Sequence, residues 1–193
     1  MKKDIILAGV GGQGIISIAA IIGYAALQEK MFLKQSEIHG MSQRGGDVMS
    51  NLRISHDEIA SDLIPFGQAD LIISVEPLES LRYLGYLSMN GWVVTYTVPF
   101  NYIHDYPDME KVMAEIHKLP HHIALDAETL AKEAGSLKSA NIVILGAASP
   151  FFGLAYEKFE DAVRFIFGKK GDKIIEQNLT ALRSGRDFTD KNI

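Results

Sequence analysis

An apolar run from Ile5 to Val10 breaks at the glycine-rich turn "GVGGQGI" and resumes as "ISIAAIIGYAAL", which is apolar on nearly every side. A strand and a helix with no polar face both need cover all round, and an α/β layered domain provides it. The same alternation continues downstream. Short apolar runs at Met31 to Gln35, Leu71 to Val75, Trp92 to Tyr96 and His122 to Leu125, the second and third rich in β-branched residues, read as further strands. Helical patterns fall between them, from Gly14 to Gln28, from Pro77 to Leu87, and from starts near Asp108 and Asp126. The predicted fold is α/β and Rossmann-like, a mostly parallel sheet covered by helices on both faces.

Three segments depart from plain alternation. In "DVMSNLRIS", Val48, Ser50, Leu52 and Ile54 alternate with other residues, which predicts an extra strand, antiparallel in sense, after the polar loop "GMSQRGG". "NIVILGAA" carries β-branched residues that favour a strand, and an alanine content and length that favour a buried helix. The C-terminal stretches "YEKFEDAVRFIFG" and "DKIIEQNLTALRSG" read as two amphipathic helices, each closed by a glycine. With no repeat and no interdomain linker, residues 1–193 read as one domain.

Composition removes several functions. The chain has no cysteine, so disulfides, cysteine-ligated clusters and a cysteine nucleophile are excluded. Nineteen Lys and Arg stand against 24 Asp and Glu, a balance that disfavours nucleic acid or an anionic membrane as a partner. The N-terminal apolar run is interrupted by Asp4 and ends in glycines, unlike a signal peptide. The longest apolar stretch, Ile15 to Leu27, has 13 residues and is too short to span a bilayer. The expected location is the cytoplasm.

Gly9, Gly11 and Gly14 fit G-x-G-x-x-G between a strand and a helix. Glycines there let the backbone turn sharply and approach a phosphate resting on the helix N-terminus. The spacing alone leaves three readings open: close packing of strand and helix, a phosphate-contacting loop, or a dinucleotide site. The dinucleotide fingerprint also asks for an acidic residue after the second strand, and Glu37, at the opening of the polar loop, is the only candidate. In "SQRGG", the glycines leave the fork of Arg44 free to meet a carboxylate, a phosphate or a partner's backbone, although Gly-Gly can equally be a turn. Glu76 and Glu79 fall on a helix's first turn, where carboxylates serve as caps whatever the function. His121 and His122 are adjacent and point to opposite sides of a strand, and His39 and His56 lack ligand-spaced partners, so no metal site is expected. Met41 and Met49 read as gap-filling core or interface residues.

Together, "AGVGGQGI", "EIHGMSQRGGDVMSNLRIS", "ADLIISVEPLESLRYL" and "NIVILGAA" resemble the gamma domain of 2-oxoacid:ferredoxin oxidoreductases, nearest to the small subunits of indolepyruvate-type members, in which this domain stands alone. The resemblance spans most of the chain, and the pairing of the two glycine motifs carries it. It implies a large alpha subunit bearing thiamine diphosphate and iron–sulfur clusters. The assembled enzyme would oxidatively decarboxylate an aryl 2-oxoacid to an acyl-CoA and reduce ferredoxin, which this chain reaches only indirectly. The sequence agrees by absence, having neither cysteine nor a G-D-G thiamine motif. No catalytic residue and no cofactor of its own is then expected, with coenzyme A as the co-substrate.

By the same resemblance, Gly11, Gly12, Gln13 and Gly14 match the family's first motif, and Ser42, Gln43, Arg44, Gly45 and Gly46 its second. Glu76 matches the acidic residue after the third strand, and Asn141 lies near the start of a helix over "NIVILGAA". These positions face a ligand or the partner subunit. An isolated chain is expected to hide its partner surface by self-association, as a homodimer. Two other readings remain: a free-standing dinucleotide-binding protein, and an assembly module that binds no ligand.

Overall fold

A computed structural model describes residues 1–40, 46–100 and 105–193. In chain order the elements are β1 (Lys2–Val10), α1 (Ile15–Gln28), β2 (Phe32–His39), β3 (Asp47–Ser55), β4 (Ala69–Ser74) and α2 (Pro77–Arg82). They continue with β5 (Leu87–Tyr96), α3 (Met109–His117), β6 (His122–Leu125), α4 (Ala127–Glu133), α5 (Ala140–Ala148), α6 (Tyr156–Phe167) and α7 (Asp172–Asp190). The strands form one sheet in the order β2-β3-β1-β4-β5-β6. β1, β4, β5 and β6 pair in parallel, and β3 pairs antiparallel with both β1 and β2. β3 therefore runs against every other strand, as the alternation in "DVMSNLRIS" predicts.

Successive side chains of β1 enter opposite cores. Ile5 and Leu7 pack with α1, α4, α5, α6 and α7, while Ile6 and Ala8 join Met49, Ile64, Ile72 and Val93 on the other face. That second face has the thinner cover: α2, the segment before β4, a 3-10 turn at Leu84–Tyr86, and α3 near β6. "NIVILGAA" is a helix, α5, buried nearly all round.

Two helix ends differ from expectation. α2 stops at Arg82 rather than Leu87; the chain turns through Leu84–Tyr86 and enters β5 at Leu87. α7 runs straight through Gly185 to Asp190. A Cβ on Gly185 would collide with the Val143 carbonyl oxygen, and one on Gly146 with that of Leu182, so these glycines allow α5 and α7 to touch backbone to backbone. Gly185 thus serves packing and not helix termination, whereas Gly168 does close α6.

The interruption at Asp4 has a structural cause. Asp4 stands opposite Arg53 in the β1–β3 register and accepts from Nε and Nη2 at 2.7 and 3.0 Å, both residues being buried. Arg53 Nη1 also donates to the carbonyls of Ser61 and Leu63, each at 2.9 Å, tying the segment before β4 to the thin face. In β5, next to the edge strand β6, Trp92, the one tryptophan, stacks on Phe151 at 4.2 Å and on His121 at 5.1 Å.

Candidate functional site around the glycine loop

The glycine loop sits at the carboxyl ends of β1 and β4, where the strand order turns from one side of β1 to the other and open α/β sheets bind their ligands. Gln13 fills this crevice. Its Oε1 accepts the Val10 N–H at 2.7 Å and its Nε2 donates to the Val75 carbonyl at 2.8 Å, strapping the end of β1 to the end of β4. Gly9 permits that closeness, since a Cβ there would strike the Val75 side chain. Removing the strap leaves one donor and one acceptor unpaired. Gln13→Ala is accordingly expected to cost about 1–3 kcal/mol, read as a fall in melting temperature; an unchanged melt would show that water replaces the strap freely.

Each remaining glycine has its own reason. Gly12 has φ of 101°, and a Cβ placed on it would have nothing within 4 Å, so the demand is one of backbone conformation alone. Gly14 is the left-handed N-cap of α1, and a side chain there would collide with Asn141. Asn141, in the first turn of α5, donates through Nδ2 to the Gly14 carbonyl at 3.1 Å. Among the described residues no side chain caps α1, and the N–H groups of Ser17 and Ile18 return to the Gly14 carbonyl.

The two motifs meet. Gly11 donates its N–H to the Gly46 carbonyl at 2.9 Å, and Gly40 donates to the Asp47 carbonyl at 2.9 Å where the chain leaves β2 and enters β3. Of the second motif only Gly46 can be placed: Ser42, Gln43, Arg44 and Gly45, with Met41 before them, lie outside the described residues.

Two cavities flank the loop and share Gly12, Gln13, Gly14 and Ser17. One, of about 580 Å³, opens toward the starts of α5 and α7, with Lys138, Lys170, Asn141 and Gln177 among its polar walls and Tyr96 and Phe100 among its apolar ones. The other, of about 710 Å³, lies toward β2 and includes Ile16, Glu37, His39 and Gly40. Glu37 there bonds His39 Nε2 at 2.8 Å. The sequence reading missed both lysines, which lie on the approaches to α5 and α7; their signal was the basic residues in "LKSAN" and "GKKGDK" just before two helix starts. Glu37 lies within β2 rather than at the opening of a loop, and β3 separates β2 from β1. An acidic residue on β2 is therefore one strand spacing, about 4.8 Å, further from the glycine loop than the dinucleotide fingerprint requires.

Glu76 caps α2. Its Oε2 accepts the Glu79 N–H at 2.9 Å and its Oε1 accepts the Tyr106 hydroxyl at 2.7 Å, so both oxygens are engaged. Burial, reinforced by the bond to Glu76, holds the Tyr106 phenol well above its ordinary value. Burial also raises the Glu79 carboxyl, opposed by its ion pair with Arg82 at 2.7 Å. Next to them, burial and the Asp47 carboxylate push the Tyr83 phenol up to about 12.

Among the described residues no group of three His, Asp or Glu is placed to hold a metal. His121 has a buried Nδ1 without a partner there, and the His122 ring nitrogen Nδ1 lies 2.7 Å from the Leu119 carbonyl oxygen. Met49 is buried in the smaller core, which removes it from any exposed partner patch. No helix among the described residues is long and apolar enough to cross a membrane.

Comparison with known proteins adds sequence to this geometry. The family described as pyruvate ferredoxin/flavodoxin oxidoreductase matches residues 4–188. The indolepyruvate oxidoreductase subunit IorB of Methanothermobacter thermautotrophicus is 38% identical over 192 residues, covering 96% of each chain. The crystal structure of the keto/oxoacid ferredoxin oxidoreductase gamma subunit from Geobacter sulfurreducens superposes with a TM-score of 0.72 at 25% identity, over 98% of this chain and 99% of that one. The 2-oxoglutarate:ferredoxin oxidoreductase from Magnetococcus marinus, solved with 2-oxoglutarate, coenzyme A and succinyl-CoA bound, shares the fold with a TM-score of 0.76 at 23% identity. There the match covers 98% of this chain but 31% of the other.

Proposed function

The chain belongs to the pyruvate ferredoxin/flavodoxin oxidoreductase family, and on that premise we propose that it is the small subunit of an indolepyruvate-type 2-oxoacid:ferredoxin oxidoreductase. The observation that carries this is near full-length similarity to a subunit that, like this chain, is about one such domain long. With no cysteine, this chain holds no cysteine-ligated cluster; in this reading a larger subunit carries the iron–sulfur centres and the thiamine diphosphate. That enzyme converts an aryl 2-oxoacid to an acyl-CoA and passes the electrons to ferredoxin. Copurification from the native source tests the assignment: a cysteine-rich, thiamine-binding chain should accompany this one. Recovery of this chain alone would count for the free-standing dinucleotide-binding alternative.

The finer reading is that Gly11, Gly12, Gln13, Gly14 and the Ser42–Gly46 segment form one anion-facing site that receives a coenzyme A phosphate. Support comes from the Gly11–Gly46 hydrogen bond, the uncapped start of α1 and the two lysines in the adjoining cavity. Loss of one charge-assisted hydrogen bond costs about 1.5–3 kcal/mol. Arg44→Ala should therefore raise the apparent KM for coenzyme A by about 10- to 150-fold with assembly intact by gel filtration. An unchanged KM would refute the ligand role of Arg44, whereas loss of assembly would move that role to the subunit interface. Titration of the isolated chain with NAD addresses the dinucleotide alternative, which the Gln13 strap and the position of Glu37 disfavour.

A further inference from the structure

The cavity of about 580 Å³ beside the glycine loop has the size of a small-molecule site rather than that of a single anion. Its wall combines apolar surface from Tyr96, Leu137 and Phe167 with the side chains of Lys138 and Lys170. Glu128 is the one acid among its described lining residues. Among the described residues the ion-paired lysines are Lys2, Lys118 and Lys158, so Lys138 and Lys170 carry charge that no carboxylate neutralises. The Lys170 ammonium lies 5.0 Å from the centroid of the Phe167 ring, a cation–π contact that keeps it beside the wall. Two helices of 14 and 9 residues, α1 and α5, begin at this cavity, at Gly14 and Ser139. Ser139 is 2% exposed and lines the cavity, yet its hydroxyl caps no backbone group and bonds to no side chain among the described residues. A buried hydroxyl without a partner in the wall of a cationic cavity is a donor left for a ligand.

The charge of the wall selects the group it takes. A lysine ammonium is a compact point charge, and a pair of them suits an anion more highly charged than one phosphate of a diphosphate bridge. A terminal phosphate monoester is such a group, carrying about −1.5 to −2 at neutral pH. Coenzyme A holds both kinds: a diphosphate in its middle, and a 3′-phosphate on the ribose at its adenosine end, with the pantetheine arm at the other. The two cavities meet at Gly12, Gln13, Gly14 and Ser17, so a ligand whose diphosphate lies over the glycine loop reaches one cavity with each end. Among the described residues only the cavity toward α5 and α7 has lysines in its wall, whereas the cavity toward β2 has Glu37. The ends of the ligand are therefore not interchangeable.

We propose that Lys138 and Lys170 are specificity-determining residues that read the 3′-phosphate of coenzyme A, with its adenosine in this cavity and its diphosphate on the glycine loop. This rests on the coenzyme A reading above and names the part of the molecule that each region takes. The test uses the complex of this chain with its larger subunit, and compares coenzyme A with 3′-dephospho-coenzyme A, which lacks only that phosphate. In the wild-type complex the apparent KM for the dephospho form should lie about 10- to 150-fold above that for coenzyme A. In Lys138→Gln/Lys170→Gln the KM for coenzyme A should rise to that of the dephospho form, whose own KM does not move. Both lysines are exposed, so the melt and the gel-filtration profile of this variant should match the wild type. A wild-type complex that does not discriminate between the two forms, or a variant that keeps the wild-type KM for coenzyme A, overturns the inference. So does a variant that weakens both forms equally, because the lysines then act on a part that the two share. Arg44→Ala separates this inference from the reading beneath it. If that substitution raises the KM of both forms while the lysine variant changes neither, the lysine assignment fails and the coenzyme A reading stands; if neither variant moves either KM, both fail.

Discussion

Purified alone, this chain is expected to turn over no 2-oxoacid, and 2-oxoacid-dependent reduction of ferredoxin or a viologen should appear only when its larger subunit is added. Cleaving the bond between a 2-oxoacid's carboxylate and its carbonyl carbon leaves an electron pair that amino-acid side chains do not stabilise; a thiazolium cofactor takes it up. The electrons then need a redox relay, and a polypeptide without cysteine offers no thiolate ligands for an iron–sulfur cluster. The glycine-loop edge has backbone N–H groups, lysines and amide side chains, whose chemistry is that of hydrogen bonding and charge and not of electron transfer. The measurement is viologen bleaching under anaerobic conditions with each subunit separately and mixed. Turnover by this polypeptide, free of its partner, would refute the assignment.

Asp4→Ala should be among the most destabilising single substitutions in the chain, by about 3–5 kcal/mol. Truncation leaves the Arg53 guanidinium buried without its carboxylate, and an uncompensated buried charge costs far more than the intact pair contributes. For a domain of this length that corresponds to a melting temperature lower by about 6–20 °C. Arg53 also tethers the carbonyls of Ser61 and Leu63, so movement of the guanidinium should loosen the segment before β4. Asp4→Leu with Arg53→Met removes the stranded charge and should recover part of the loss, but not the tether. A loss under about 1 kcal/mol for Asp4→Ala would mean that water reaches Arg53 and the pair is no more than a surface bridge.

The centres of the parallel strands were legible as short apolar runs, and β1 reads as continuously apolar because both of its faces are covered, whereas β2 continues through the polar residues to His39 and β5 begins at Leu87, five residues before the β-branched run that marks it. The opposite sense of β3 followed from its alternation, and the contact between Gly11 and Gly46 from the convergence of loops at one sheet edge. What local patterns hid was set by residues distant in sequence. Gly185 carries a helix-stop signal, yet a glycine at that point lets α5 approach, and α7 continues past it. Gln13 looks like one polar residue in a glycine turn, and only the parallel pairing of β1 with β4 brings Val75 within its reach. Lys138 and Lys170 lie in separate connections more than thirty residues apart, so no motif could unite them in one cavity. Asp4 read as a flaw in an apolar run because its partner, Arg53, lies two strands later in the chain.

Trp92 gives the molecule a single optical channel. With one indole in the chain, stacked on Phe151 and on His121, the whole of its tryptophan emission originates at one site in β5. During unfolding of the chain by itself, a change of spectral position or of quenching would therefore report on the packing of this part of β5 without a label.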